Sequence, residues 1–369
     1  MMKKRVVVAM SGGVDSNVAA YLLLKSGYEV IGITMDLFRS SCQIDNPRTC
    51  CSLQAFEDAR DAAERLGISH FIFDLKEEFE KEVVNYFLEE YLHGRTPNPC
   101  IRCNERIKFG TLLKKAKELK ADYVATGHYA RVEYDEENGH YLLKKGVDSR
   151  KDQSYVLFSL RQEQLKYILF PLGEFTKTDV RKIAQDLGLK VYDKPESQEI
   201  CFIHDNDYRR FLKGRGVQEK HGPIMDNQDK VLGEHHGIQN YTIGQRKGLG
   251  IVHGKPLYTI KIDRDRNAVI VGDKEDLFQN ELIASHVNWI AWEPSNEPIT
   301  AKAKIRYSHK ESPAKIFPLS HGKAKVRFDS PQPSITPGQA VVFYQDDLVL
   351  GGGWIEQGRR LSEIGCAIF

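Results

Sequence analysis

The sequence predicts an α/β protein in three parts: a parallel-sheet domain over residues 1–205, a small central β-rich domain over 206–280 and a C-terminal β-barrel over 281–369. Three observations lead there. The first half alternates short apolar runs with helix-length amphipathic stretches, the pattern of βαβ units on a parallel sheet. After about Asp205 short strands punctuated by Gly, Asn and Asp take over. From about Glu281 the pattern is period-two alternation, as in Ala301–Tyr307, Ala324–Phe328 and Ala340–Tyr344, which is the texture of an antiparallel sheet or barrel.

Taken in order, Val6–Met10, Val30–Met35, Phe71–Leu75 and Tyr123–Thr126 are the short runs, and Val18–Lys25, Ala55–Leu66, Phe79–Leu92 and Leu112–Leu119 the helix-length ones. Lys177–Leu187 has Asp179 early and stops at Gly188, so it carries both a start and a stop signal for a helix. In the central part Gly222–Gly233, Tyr241–Gly250, Pro256–Ile262 and Ala268–Gly272 read as short strands. No long repeat or low-complexity tract interrupts this order.

Length and composition bound the function. A chain of 369 residues with 41% hydrophobic and 28% charged residues is globular rather than disordered or fibrous. It has no run of the roughly 18 apolar residues that a membrane helix requires. Lys3, Lys4 and Arg5 precede an apolar run that ends at Ser11, short of the roughly 7–15 residues of a secretion signal, so the chain is expected in the cytoplasm and away from membranes. With 53 basic against 51 acidic residues, any nucleic-acid contact must come from local clustering. Seven cysteines in such a chain point to reactive thiols or a metal rather than a disulfide scaffold.

Strand Val6–Met10 runs straight into Ser11-Gly12-Gly13-Val14-Asp15-Ser16 and then a helix. Two glycines permit a tight turn and close backbone approach, while the helix N-terminus and the hydroxyls of Ser11 and Ser16 favour a phosphate. The sequence is neither G-x-x-x-x-G-K-[ST] nor G-x-G-x-x-G, which excludes the two commonest nucleotide loops. It resembles the SGGxDS loop of the PP-loop ATP pyrophosphatases, which have an adenine nucleotide alpha hydrolase-like fold. That resemblance implies that Ala9, Met10, Ser11, Gly12, Gly13, Val14, Asp15 and Ser16 hold the phosphates of ATP. It places Asp15 near Mg2+ and Met35 against adenine, although Met35 alone reads as a plain core methionine.

Two cysteines three apart lie on Pro97–Asn104, read here as a proline-fixed loop, and a third, Cys201, lies in Ser197-Gln198-Glu199-Ile200-Cys201-Phe202. Arg102 and Arg106, with Lys108 and Lys194, supply positive charge that favours thiolates. Together with Thr126–Arg131, Lys151–Tyr155, Tyr241–Gly248 and Gly351–Trp354, these segments make the chain similar to the tRNA-specific 2-thiouridylases, which convert the wobble uridine of certain tRNAs to 2-thiouridine. By resemblance Cys103 is the nucleophile and Cys201 carries a persulfide. Gly127 contacts the nucleotide, and Asn98, Pro99 and Cys100 meet the target base in the anticodon region. His128, then Lys151, Asp152 and Gln153, and then Arg306, Tyr307 and Gln339 contact tRNA. The implied partners are tRNA and a persulfide-donating sulfur carrier or cysteine desulfurase. Many relatives have aspartate where this chain has Cys100, so Cys100, Cys103 and Cys201 could also converge on an iron–sulfur cluster. The relay is preferred, with no metal on these residues, because Cys103 and Cys201 explain the chemistry without iron.

Between Lys302 and Arg327 eight cations stand against one anion, Glu311. In Lys302-Ala303-Lys304-Ile305-Arg306 and Lys323-Ala324-Lys325-Val326-Arg327 the period of two sends all six cations to one face of each strand. Paired, the two strands would form a phosphate-binding face. Two rival functions stay open: a PP-loop synthetase or amidotransferase for a small metabolite, and a non-catalytic RNA-binding module.

Overall fold

The computed structural model describes residues 3–38, 53–193, 200–203, 205–292 and 297–359. Cys42, Cys50, Cys51 and Cys366 lie outside the described residues, as do Lys194, Ser197, Gln198 and Glu199. The chain divides into two compact units, one of Met1–Val84, Pro99–Asn206 and Asp347–Val349, the other of Asn85–Asn98, Asp207–Asp346 and Leu350–Phe369.

The first unit is built on a parallel sheet of β1 (Arg5–Ala9), β2 (Glu29–Asp36), β3 (Ser69–Asp74), β4 (Tyr123–Ala125) and, after the hairpin of β5 (Ala130–Asp135) and β6 (His140–Lys145), β7 (Ile168–Leu169). The strand order is β3-β2-β1-β4-β7. β1 is central, and Val6, Val7 and Val8 are fully buried, as expected for a parallel strand covered on both faces. Helix α1 (Val14–Lys25) packs Val14, Val18, Ala19, Ala20 and Leu23 into that core. Helix α2 (Leu53–Leu66) presents Ala55, Ala59, Ala62 and Ala63, small side chains that let it lie close to the sheet. The strand order reverses at β1, where β2 leaves on one side and β4 on the other. The turns after β1 and β4 therefore face each other across the switch point, where such sheets bind ligands.

Some stretches differ from the sequence reading. Tyr241–Gly250, read there as a short strand, carries turns and no strand. The helix expected over Phe79–Leu92 is broken: Lys76–Phe79 is α-helical, Glu80–Val84 is a π-turn and Asn85–Leu92 resumes the α-helix. The proline-fixed loop is also a helix, Pro99–Cys103, continued by a π-helical stretch over Asn104–Thr111. Pro99 suits its first position, where the missing N–H has no partner to lose and φ is already set.

In the second unit, β8 (Gly222–Met225), β9 (Val231–His235), β10 (Tyr258–Asp263) and β11 (Ala268–Gly272) form a sheet in the order β10-β11-β8-β9 around Ile224, Val269 and Val271. Six further strands follow: β12 (Phe278–Trp289), β13 (Ile299–Lys304), β14 (Ser312–Leu319), β15 (Lys323–Pro333), β16 (Ala340–Gln345) and β17 (Leu348–Arg359). They run in the order β12-β15-β14-β13-β16-β17, and β12 pairs with β17 to close the barrel. Among the described residues, no helix is long and apolar enough to cross a membrane.

Candidate active site

The phosphate loop lies at the switch point. Gly12 adopts φ +69°, and a Cβ there would stand 2.2 Å from the Ala55 carbonyl oxygen, so only glycine fits between the loop and α2. Gly13 begins α1 with no side-chain cap, leaving the helix dipole and its first N–H groups to an anion. Ser16 ties the loop rather than facing outward: its hydroxyl donates to the Gly13 carbonyl (3.1 Å) and accepts from the Ser11 N–H (3.2 Å). Ala9 and Met10 lie buried beneath it, the Met10 carbonyl accepting from the Thr34 hydroxyl at 2.9 Å. Met35, near the end of β2, is half-buried beside Phe73 of β3. From the opposite turn comes Gly127, where a Cβ would fall 2.8 Å from the Asp15 carbonyl carbon and the Ser16 nitrogen. This cradle fits a nucleotide's phosphates.

Asp15 is engaged by groups that the motifs did not reveal. The Lys177 ammonium donates to both its oxygens, at 2.7 and 2.8 Å, and the Tyr129 hydroxyl donates to Oδ1 at 2.7 Å. Lys177 opens the helix Lys177–Asp186, capped by the reciprocal Thr176–Asp179 pair, and its backbone N–H donates to Asp148 at 3.0 Å. That bond, with the Arg150 N–H, holds the Asp148 carboxyl below the usual carboxylate range. An ammonium thus stands where the resemblance implied Mg2+. Among the described residues no group of three or more His, Cys, Asp or Glu side chains is placed to hold a metal ion. The loop as built therefore fits phosphates well and a resident metal poorly.

The thiol helix is tied to the same frame. Cys100 is exposed, Cys103 and Cys201 are half-buried, and none of the three is in a disulfide. Phe202, next to Cys201, packs on Phe38 and Phe79 at centroid distances of 6.0 and 5.9 Å. The Pro99–Cys103 helix packs on the π-turn that follows Phe79, so both cysteines are anchored to one helical segment. The three thiols do not gather into a metal-ligating group. The cationic surroundings expected of Cys103 are also reduced, because Glu105 accepts from Arg102 (3.1 Å) and pairs with Arg106 (3.2 Å).

Several residues expected to touch tRNA have internal work. Asp152 accepts from the Ser154 N–H and hydroxyl, and Gln153 brackets the Tyr129 backbone with bonds of 3.0 and 2.9 Å. Asn104, beside Cys103, donates to the Val156 carbonyl at 3.0 Å. The segment after half-buried Lys151 is therefore a strut joining the thiol helix to the tyrosine that holds Asp15. His128 is buried, bonded to the Thr126 hydroxyl at 2.7 Å and packed against the touching rings of Phe109 and Phe170. Burial, aided by the charge of Lys108, pushes its pKa well below the usual histidine value, which favours the neutral imidazole. In the second unit Gln339 donates to the carbonyls of Thr96 (2.9 Å) and Pro97 (3.3 Å), steadying the chain that leads through half-buried Asn98 to buried Pro99.

The two basic strands do not pair. β14 lies between β13 and β15, with Lys315 opposite Arg327 and Phe317 opposite Lys325. The alternation holds, with Ala303, Ile305, Ala324 and Val326 buried and the cations outside, so the basic face spans three strands rather than two. Part of its charge is matched: Arg327 pairs with Glu281 and Lys323 with Glu356, while Arg306 donates to the Pro333 carbonyl at 2.9 Å. Tyr307 is exposed, with the Lys304 ammonium over its ring.

Comparison with known proteins identifies the family. Residues 4–205 match the family described as the tRNA methyl transferase HUP domain, 209–273 the tRNA methyl transferase PRC-barrel domain, and 279–355 the aminomethyltransferase beta-barrel domain. The chain is 52% identical over 359 residues to the tRNA-specific 2-thiouridylase MnmA of Acetivibrio thermocellus, covering 96% of this chain and 100% of that protein. To the MnmA 1 of Thermoanaerobacter pseudethanolicus it is 53% identical over 364 residues, covering 97% of this chain and 100% of the relative. Among solved structures, a 4-thiouridine synthetase–RNA complex with bound ATP superposes with a TM-score of 0.37 at 20% identity, over 57% of this chain and 50% of that one. The full-length likeness to these relatives establishes that the chain belongs to the tRNA-specific 2-thiouridylase family of PP-loop enzymes.

Proposed function

We propose that this enzyme thiolates C2 of the wobble uridine, U34, of tRNA in the cytoplasm. The observation that carries the reading is the anchoring of Cys103 and Cys201 to one segment of the unit that also holds the phosphate loop. The loop would bind ATP at the α1 N-terminus, and the C2 oxygen of uridine would take the adenylyl group with release of pyrophosphate, turning a poor leaving group into a good one. The terminal sulfur of a Cys201 persulfide attacks C2 and AMP departs. The Cys103 thiolate then attacks the Cys201 sulfur, breaking the S–S bond to leave the thione on the base and a Cys103–Cys201 disulfide for a dithiol to reduce. Two cysteines suit sulfur transfer better than the methyl transfer in the family description. A sulfur carrier or cysteine desulfurase supplies the persulfide, and the basic barrel face offers contacts for tRNA phosphates.

The test is to incubate the protein with ATP, a cysteine desulfurase with cysteine, and unmodified tRNA, and then to analyse nucleosides by mass spectrometry. 2-Thiouridine should form, and Cys103→Ser and Cys201→Ser should form none while binding tRNA within a few-fold of the parent. Activity retained in either variant ends the relay. Pyrophosphate release without tRNA supports the small-metabolite synthetase instead, and no ATP turnover at all supports the RNA-binding module.

A further inference from the structure

The pairing of Lys177 with Asp15 has a consequence for how the nucleotide binds. We propose that Lys177 is a nucleotide-binding residue whose ammonium passes from Asp15 to the phosphates, and that Asp15 restrains it until they arrive. The proposal rests on the reading of Ser11–Ser16 as an ATP phosphate loop.

Phosphates arriving at the uncapped start of α1 meet Asp15 at its second position, a like charge that opposes them. The Lys177 side chain, only 9% exposed, offsets that charge by donating to both carboxylate oxygens. Its backbone is fixed by the bond to Asp148 and by the Thr176–Asp179 cap, so the four-carbon stem can swing without moving the helix. Asp15 keeps the Tyr129 hydroxyl when the ammonium leaves, and Gln153 holds that tyrosine in place. The carboxylate is therefore never stripped of its last donor, which lowers the cost of the exchange.

Binding of a non-hydrolysable ATP analogue, measured by calorimetry in EDTA and again in Mg2+, tests this without catalysis. In EDTA, Lys177→Met should weaken binding by about fivefold or more through removal of a charge-assisted hydrogen bond. Asp15→Asn keeps an acceptor for Tyr129 but frees the ammonium, and should tighten metal-free binding by about threefold or more. The double variant Asp15→Asn/Lys177→Met leaves no lone charge in the site and should bind more weakly than Asp15→Asn, which keeps the test available if Lys177→Met does not fold. Parental affinity in Lys177→Met, or metal-free binding weakened in Asp15→Asn, overturns the proposal. If the parent binds no analogue under either condition, the phosphate-loop reading itself fails.

Discussion

Three glycines of the phosphate site carry different constraints, and alanine at each should cost a different amount. At Gly12 the φ of +69° costs an L-residue roughly 1–2 kcal/mol, and its new methyl would sit 2.2 Å from the Ala55 carbonyl oxygen. Relieving that overlap requires α2 and the loop to part by about 1 Å, an overpacking cost of roughly 1–3 kcal/mol. Gly12→Ala should therefore lose about 2–5 kcal/mol, or roughly 5–15 °C for a unit of this size. At Gly127 the obstruction is the backbone of Asp15 and Ser16 at 2.8 Å, with no positive φ to add, so the overpacking cost of roughly 1–3 kcal/mol stands alone. At Gly13, φ is −96° and a methyl would meet only the Ser11 hydroxyl at an ordinary 3.5 Å. That substitution should stay within about 1 kcal/mol, a small loss of cap quality offset by a less flexible unfolded chain. Differential scanning calorimetry of the three variants should rank Gly12 as the most damaging and Gly13 as the least. A Gly13 variant as unstable as the Gly12 variant would refute the steric account, and so would a harmless Gly12→Ala.

Three other outcomes follow from the same structure. Replacing Lys302 and Lys315 by Ala should reduce the salt dependence of tRNA binding by roughly 0.7–0.9 for each phosphate no longer neutralised. Arg327→Ala should change it less, because Glu281 already pairs with Arg327; equal effects would show that the intramolecular pair is irrelevant. His128 is neutral in the fold and its pKa is lowered from 6.5, so its stabilisation is complete above pH 6.5 and falls by up to about 1.4 kcal/mol per unit as pH drops below that. His128→Asn should flatten the fall in melting temperature between pH 7 and 5.5, and an unchanged slope would place the titration elsewhere. Cys100→Asp should keep substantial thiolation with no requirement for iron; activity that tracks bound iron and vanishes in the variant would reinstate the cluster.

Periodicity revealed the fold where burial is one-sided or complete. Val6–Met10 reads as a strand because β1 is central, and Lys302–Arg306 reads as a barrel strand because its alternate residues face opposite sides. The π-turns at Glu80–Val84 and Asn104–Thr111 left no such mark. An extra residue per turn alters the hydrogen-bond ladder without altering the residue types, so Phe79–Leu92 still looks like one amphipathic helix. The two prolines around Asn98 misled for a related reason. Proline breaks a helix interior but opens a helix readily, and only the chain geometry decides which applies.

The site was legible wherever chemistry demands a contiguous motif and illegible wherever it is assembled across the sheet. Gly12, Gly13 and Asp15 announce a phosphate loop because backbone conformation and helix start must be adjacent in sequence. Lys177 is 162 positions from Asp15 and Tyr129 is 114; Lys177 carries no signal beyond an ordinary helix start, and Tyr129, although inside the Thr126–Arg131 segment, carries none that points to Asp15. A buried lysine at a helix N-terminus is unfavourable against the dipole, so its placement there requires an anion in the fold to offset it. Asp15 supplies that anion. The same logic applies to Asp152 and Gln153: Asp152 accepts from Ser154 and Gly146 and the Gln153 side-chain oxygen accepts from the Tyr129 N–H, so the Lys151–Tyr155 segment links the thiol helix, through Asn104 and Val156, to the tyrosine that holds Asp15. Truncating Gln153 should therefore weaken nucleotide binding through Tyr129, an effect that a residue acting only on tRNA would not show.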